Sequence, residues 1–542
     1  MQSISSNSII AAFKSTQRDA RPSSTSQGHL SEQADKNGTS AVWNEGDESS
    51  GRIDDRDQES QLDKKQESKL RWKIDLYVVP SVALLWLFSF IDRANIGNAR
   101  IAGLDESFNL QGYDYNIILS CFYISYILLE FPATVLCKWL GPGWFLPATS
   151  VMFGVCTICM SFAQTQPQVR AIRFLLGVFE CGLLPGIAYY LSRWYRRSEL
   201  TFRLSLYLVM SPLAGAFGGL FASAILKLDS LGSLTQWRMI FAIEGMITVF
   251  LGLVSFFTIT DRPETARWLT AEEKRLCERR LQSERLHQTE VLDKIDKAKL
   301  YRGALNPATL TTAMAFFFSN VTVQGLGVFL PMIITTIYPE ATIIQRQLYS
   351  VPPYILGACM NLIIPAISWK IDRRQIFMIG ACPTIIVGYI LFLASHVTHA
   401  RYAACFLIAS TAFIIGPLSA AQVSANVVSD TSRSSALATN VSYLLIHHDY
   451  QTNPVEVFFG NTGGLLSSWT FLAREAPHYP TGNGLNLACA TMQMVVTISA
   501  LIWFKWDNRK RSEVDGRQQI AGLSQREVED LDWKHPDFRW KP

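Results

Sequence analysis

Residues 75–97 read DLYVVPSVALLWLFSFIDRANIG. After Asp75 the run is free of charge until Asp92-Arg93. A helix needs about 20 apolar residues to cross a bilayer, so this stretch is expected to span a membrane, with its charged pair at membrane depth. Eleven further stretches of the same kind follow: 115–137, 143–163, 169–192, 203–226, 238–259, 308–335, 348–369, 375–395, 402–426, 435–473 (interrupted) and 485–506. The polar block 260–305 divides the twelve six and six. Charge is distributed accordingly. The 542 residues carry 49 Lys plus Arg and 45 Asp plus Glu, and 60 of these 94 fall in 1–74, 260–305 and 505–542. The other 384 residues hold 34, which excludes an ordinary soluble enzyme. The overall hydrophobic share of 49% would not by itself have done so. The expected fold class is an all-α integral membrane protein of twelve transmembrane helices in two six-helix bundles.

The expected organisation is a disordered cytosolic tail over 1–74, bundles over 75–259 and 306–506, a linker over 260–305 and a cytosolic tail over 507–542. The first 74 residues are hydrophilic, and no cleavable signal peptide is expected. Basic residues cluster in the connections after spans 4 and 8 (Arg193, Arg196, Arg197, Arg203; Lys370, Arg373, Arg374). They also flank the first and last spans. The alternate loops 105–114 and 163–169 contain no Lys or Arg. The positive-inside rule then places both termini and the linker in the cytosol, with the plasma membrane as the expected location. The net charge of +4 reflects this bias, so the expected partner is the lipid bilayer and no nucleic acid. Within the linker, Thr270 and Glu273 have the spacing of a capping box, followed by alternating acidic and basic residues of a solvated helix.

Several chemistries are excluded. Nine of the ten cysteines lie in or beside apolar spans, and Cys156-x-x-Cys159 sits inside one, as packing residues do. The eight histidines make no zinc spacing, no Walker loop exists, and no cofactor is expected. What remains is a set of ionisable groups in the apolar spans: Asp92 and Arg93 in span 1, Glu130 in span 2, Arg173 and Glu180 in span 4, and Glu244 in span 6. Such groups are costly in a membrane unless paired, which makes them functional candidates. Arg173 and Glu180, two turns apart, share a helix face. If spans 1 and 4 touch, Asp92 can pair with Arg173. In a poorly hydrated cavity Asp92 or Glu180 can take up and release a proton. Arg93 or Arg173 offers a planar fork to an anionic substrate, from which a carboxylate can displace it. Glu130 and Glu244, nearer span ends, read instead as packing groups. Pro212, Gly215, Gly218 and Gly219 in span 5 point to close helix contact. Gln324, Asn361, Gln422, Asn426 and Asn461 are the main polar groups of the second half, and Gly463-Gly464 invites unwinding of span 11.

These residues resemble the major facilitator superfamily, in particular its anion:cation symporter branch and the fungal allantoate, nicotinate and pantothenate permeases. The likeness is carried by Asp92-Arg93-x-Asn95-Ile-Gly-Asn98-Ala-Arg100, by Tyr126-x-x-x-Glu130-x-Pro132, and by Arg173-x-x-x-Gly177-x-x-Glu180-x-Gly182-x-x-Pro185-Gly186. Trp237-Arg238, Glu244-Gly245, Asp261-Arg-Pro263, Gly460-Asn461-Thr-Gly463-Gly464 and the terminal Asp532-Trp-x-x-x-Asp537-Phe-Arg-Trp540 extend it from about residue 72 to the end. The resemblance implies alternating access around a midplane site and import of a small organic anion with protons, the proton gradient being the energy source, in a chain that works as a monomer. It implies that Asp92 and Glu180 carry protons and that Arg173 pairs with the acid of span 1. It further implies that Arg93 reaches a substrate carboxylate, with Tyr126 and Asn461 as further substrate-binding positions. An efflux antiporter or a non-transporting nutrient sensor is the alternative. Two features depart from the family. The loop between spans 2 and 3, Lys138-Trp-Leu-Gly141-Pro142, lacks the usual Asp-Arg. Residues 441–456 interrupt span 11, and deleting them restores Ala-Thr-Asn-Val-Phe-Phe-Gly-Asn-Thr-Gly-Gly, as a retained 16-codon intron would.

Overall fold

The computed structural model describes residues 47–195, 203, 206–228, 236–285, 306–426, 455–513 and 532–541 except 537, with isolated positions between 229 and 235. Every regular element among them is helical. The chain divides into two compact units, Met1–Lys64 and Lys65–Pro542, and the second holds all that follows.

Among the described residues ten helices are long and apolar enough to cross a membrane, eleven with the two parts of span 2 counted as one. Span 1 is Gln66–Phe108. Span 2 is Asp114–Leu140, bent by 55° between Glu130 and Pro132, where proline removes a ladder hydrogen bond. Span 3 is Pro142–Ser161, span 5 Met210–Ile225 and span 6 Trp237–Thr258. Span 4 is broken into Gln166–Glu180 and Leu183–Ser192. Spans 7, 8 and 9 are Pro307–Ile337, Ile343–Ile371 and Gln375–Ala394. Span 10 is broken into Thr398–Ala412 and Ile415–Asn426, and span 12 is Pro480–Glu513. Span 11 is described from Val455 to Ser467. The proposed intron, but for its last two residues, lies outside the described residues. Gly463-Gly464 does not unwind the helix, because both positions are occupied by neighbours: Phe317 of span 7 and Tyr123 of span 2.

The packing separates two groups. Span 3 packs on spans 6 and 4, and span 2 on span 4. In the second half span 7 packs on spans 11 and 12, span 9 on spans 10 and 12, and span 8 on span 10. The groups meet where span 5 lies on span 8 and span 2 on span 11. The span 5 glycines serve this contact. A Cβ on Gly215 would sit 2.6 Å from the Tyr354 ring of span 8, so only a glycine surface admits that ring. At the face where span 2 begins and span 11 ends, cross-bundle hydrogen bonds tie the groups together. Asn116 Nδ2 donates to the Ser468 carbonyl at 2.5 Å, and Trp469 Nε1 to Ser120 Oγ at 2.9 Å.

At the opposite face, the linker helix Ala271–Arg285 starts with the expected capping box. Thr270 N donates to Glu273 Oε2 at 2.8 Å and Glu273 N to Thr270 Oγ1 at 3.3 Å. It docks on the start of span 1 through Lys73–Glu273 at 2.7 Å and Arg280–Glu67 at 3.0 Å. The C-terminal segment is held on this face as well. Trp540, buried, stacks on Phe504, and its Nε1 donates to Asp507 Oδ2 at 2.7 Å. Asn508 both donates to and accepts from the Trp540 backbone at 2.8 Å. Asn426 does the same for Lys541, at 2.9 and 2.7 Å.

Candidate functional site

Neighbouring residues on a helix point about 100° apart, and span 1 uses this to send Asp92 and Arg93 into different surroundings. Arg93 Nε donates to Glu180 Oε1 at 2.6 Å. The two side chains are 6% and 0% exposed, so this is a buried ion pair. Ser89, one turn before Arg93 on the same face, donates its Oγ to the same oxygen at 2.5 Å. Four rings surround the guanidinium, with centroids at 4.9 Å (Tyr126), 5.0 Å (Phe90), 5.4 Å (Phe122) and 5.8 Å (Trp86). Charge–quadrupole attraction to these faces helps hold a cation away from water. The span 4 side of the pair reaches span 2 because Gly177 lies against Ser125 and the Phe122 carbonyl, leaving no room for a side chain. Two polar atoms of the pair remain without a partner: Arg93 Nη2 and Glu180 Oε2.

Asp92 faces the interior of the first bundle. Thr157 of span 3 donates to its Oδ1 at 2.9 Å, while Oδ2 has no partner. Arg173, the charge that acts most strongly on it, packs its guanidinium 5.5 Å from the Phe241 ring and makes no ion pair with Asp92. Glu244, expected near a span end, is buried in this same region and accepts a hydrogen bond from Asn95, which in turn accepts from Asn98 at 2.7 Å. Five of the six acidic and basic candidates thus fall into two groups, Arg93 with Glu180 and Asp92 near Arg173 and Glu244.

A cavity lies between the bundles. Arg93 is the charged residue on its wall. The first bundle contributes Trp86, Phe90, Tyr126 and Ser211, and the second Asn320, Gln324, Phe413 and Asn461. Phe413 stands at the break in span 10. Asn320 donates to the Gly460 carbonyl, and Asn461 Nδ2 donates to Glu130 Oε2 at 3.1 Å. Glu130, read from sequence as a packing group near a span end, is 2% exposed and lies one turn beyond Tyr126.

Of the sequence candidates, Arg93, Tyr126 and Asn461 come together at this cavity, with Glu180 directly behind Arg93. Asp92 and Arg173 do not line it. Among the second-half amides, Gln324 is on the wall, whereas Gln422 and Asn426 bind the C-terminal segment. Sequence reasoning missed Ser89, Trp86, Phe90, Asn320 and Phe413. Ser89 had a signal, its i, i+4 spacing to Arg93. The aromatic residues had none, since a ring facing lipid and one facing a cavity look alike in an apolar run.

Chemically, the site offers one guanidinium with a spare donor edge, a carboxylate that already occupies part of it, and flat apolar walls with amides opposite. It suits a small anion with an apolar body.

The Major Facilitator Superfamily profile matches residues 82–446. An uncharacterized transporter of Schizosaccharomyces pombe is 29% identical over 484 residues, which cover 88% of this chain and 91% of that one. The high-affinity nicotinic acid transporter of Saccharomyces cerevisiae is 29% identical over 476 residues, 88% and 85% of the two chains. A fungal MFS transporter, prlL, is 31% identical over 457 residues, 81% and 87%. Among solved structures, a bacterial homologue of the human lysosomal transporter Spinster superposes with a TM-score of 0.54 at 14% identity, covering 79% of this chain and 94% of its own.

Proposed function

The chain belongs to the major facilitator superfamily, and on that premise we propose that it imports a small organic anion together with protons by alternating access. The buried Arg93–Glu180 pair on the wall of the interbundle cavity carries this reading. A substrate carboxylate approaches the free Nη2 edge of Arg93 and competes with Glu180 for the guanidinium. Glu180 displaced as an anion would be an uncompensated charge in a dry site, costing several kcal/mol. Taking up a proton removes that cost. Anion entry and proton entry are therefore linked through one ion pair. The likeness to a nicotinic acid transporter supports a monocarboxylate of the nicotinate type, whose ring fits between the Trp86, Phe90 and Phe413 faces. In this reading Tyr126 and Asn461 position the substrate. Asp92 and Arg173 act behind span 1 as unpaired, indirectly coupled charges. The bundles 75–259 and 306–506 rock about the cavity, the linker 260–305 joins them, and the monomer sits in the plasma membrane with both termini in the cytosol.

Expression in yeast with a cytosolic pH indicator tests this. A panel of organic anions is added one at a time at acid external pH, to cells making the full chain or the chain without 441–456. Cytosolic acidification with one anion, lost in Glu180→Gln, is the expected result. A correctly located protein that acidifies the cytosol with none of them overturns the symport assignment.

A further inference from the structure

Glu130 is a buried carboxyl that the exchange between Arg93 and Glu180 leaves unused. It stands at the 55° bend of span 2, 2% exposed. Its Oε2 accepts from Asn461 Nδ2 across the boundary between the bundles, at 3.1 Å. Its Oε1 is buried and has no partner. Among the described residues it belongs to no ion pair. Arg93 acts on it from span 1 but is engaged by Glu180. The other titratable groups that face it are Tyr126, one turn earlier on its own helix, and Cys181 at the break in span 4. Span 11 presents the Asn461 amide. Counted with Asp92, Glu180 and Glu244, four buried carboxyls share the two buried guanidiniums of Arg93 and Arg173. A low-dielectric interior does not hold four carboxylates against two cations, so some of these groups must exist with protons.

We propose that Glu130 is a second proton-carrying group of the transport cycle, and that its proton is tied to the Glu130–Asn461 contact between the bundles. As a carboxylic acid, Glu130 accepts from Asn461 without a cation, and the two bundles stay joined at the cavity wall. When the cavity opens to water, the acid O–H bond breaks, the proton passes to water, and the carboxylate is hydrated and leaves Asn461. Reprotonation from the other side restores the contact. Because Asn461 also lines the cavity, closing around the anion and loading this proton are one event. The inference rests on the symport reading and adds one proton to each turnover.

The test uses the full chain, purified and reconstituted into liposomes, with Glu130→Gln, which keeps an oxygen to accept from Asn461 but cannot titrate. Labelled nicotinate is the probe, driven by a pH gradient of one unit at zero membrane potential. Each coupled proton multiplies the limiting accumulation by ten at that gradient, since 1.36 kcal/mol is a factor of ten. The expected result is about tenfold lower accumulation in Glu130→Gln than in the wild type. Equal accumulation in the two overturns the inference, whereas a wild type that shows no proton-driven accumulation overturns the symport reading itself. Infrared titration of the same proteins, without substrate, reads the carboxyl directly. A protonated-carboxyl band that titrates in the wild type and in Glu180→Gln but is missing in Glu130→Gln supports the assignment. A spectrum unchanged by Glu130→Gln overturns it. Where the Gln variant does not fold, Glu130→Asp serves: its band must shift, and an unshifted band also overturns the assignment.

Discussion

Replacing Glu180 by Gln isolates the ion pair on which the proposed coupling depends. In the wild type Arg93 is held by a charge-assisted hydrogen bond at 2.6 Å between two buried side chains. Such a bond contributes about 1.5–3 kcal/mol, against about 0.5–1.5 kcal/mol for a neutral one. Glutamine is nearly isosteric and keeps an oxygen for Ser89 or for Arg93 Nε, but the grip on the guanidinium falls by about 1–2 kcal/mol. An incoming carboxylate then meets less competition, and its affinity at neutral pH should rise about 5- to 30-fold. The pH dependence is more diagnostic. If one proton must reach Glu180 before Arg93 is released, that proton alone makes wild-type affinity fall about tenfold for every pH unit upward. In Glu180→Gln this proton is no longer needed, and the slope should fall by one proton per anion bound. Calorimetric titration of the detergent-purified protein, with the anion found in the yeast panel, measures both slopes. A wild-type slope that persists undiminished in Glu180→Gln refutes the reasoning, because Glu180 would then carry none of the linked protons.

Other outcomes follow from the same geometry. Arg93→Lys keeps the charge but loses the planar fork, so anion binding should weaken tenfold or more while the protein still folds; the same titration measures it. Trp540→Ala removes a buried ring stacked on Phe504 and the bond to Asp507. It should cost about 3–5 kcal/mol of local stability and expose the C-terminal segment to protease, which limited proteolysis would show. Burial pushes the Cys277 thiol up to about 11, so maleimide should leave it unlabelled at neutral pH until the linker helix is unfolded, as peptide mapping would reveal. Burial alone would raise the Glu273 carboxyl, but the Lys73 ammonium and the Thr270 backbone N–H outweigh it and hold the group below its usual value of 4.5. Its stabilising contact is therefore complete above about pH 4.5 and is lost as pH falls through the lowered value. Hydrogen-exchange protection of residues 271–285 should drop over that interval, and this dependence should weaken in Lys73→Met.

The spans were legible because their signal is local. A run such as 75–97 must satisfy its backbone within itself once in lipid, so length and apolarity suffice to find it. Proline and glycine gave the irregular points less completely. The bend at Pro132 and the close helix contact at Gly215 follow from local sequence rules, whereas Gly463-Gly464 stays helical with the Phe317 carbonyl and the Tyr123 ring filling the space beside it. The capping box of Thr270 and Glu273 likewise needed only two residues three apart.

The site was legible by residue type but not by partner. An ionisable group in an apolar run announces itself, since its burial is costly wherever it lies, and Asp92, Arg93, Arg173 and Glu180 stood out for that reason. Which carboxylate meets which guanidinium depends on helix rotation and on the approach allowed at Gly177, and neither is written in one helix. The sequence allowed Asp92 to pair with Arg173; in the fold Arg93 pairs with Glu180, and Asp92 turns to Thr157. The same holds for Glu130. Its position along span 2 suggested a group near a helix end, but the bend at Pro132 and the approach of span 11 bury it against Asn461. One-dimensional periodicity fixes a residue's depth and face on its own helix. Only the packing of the helices around the cavity decides what stands opposite, and an ion pair or a proton site is defined by what stands opposite.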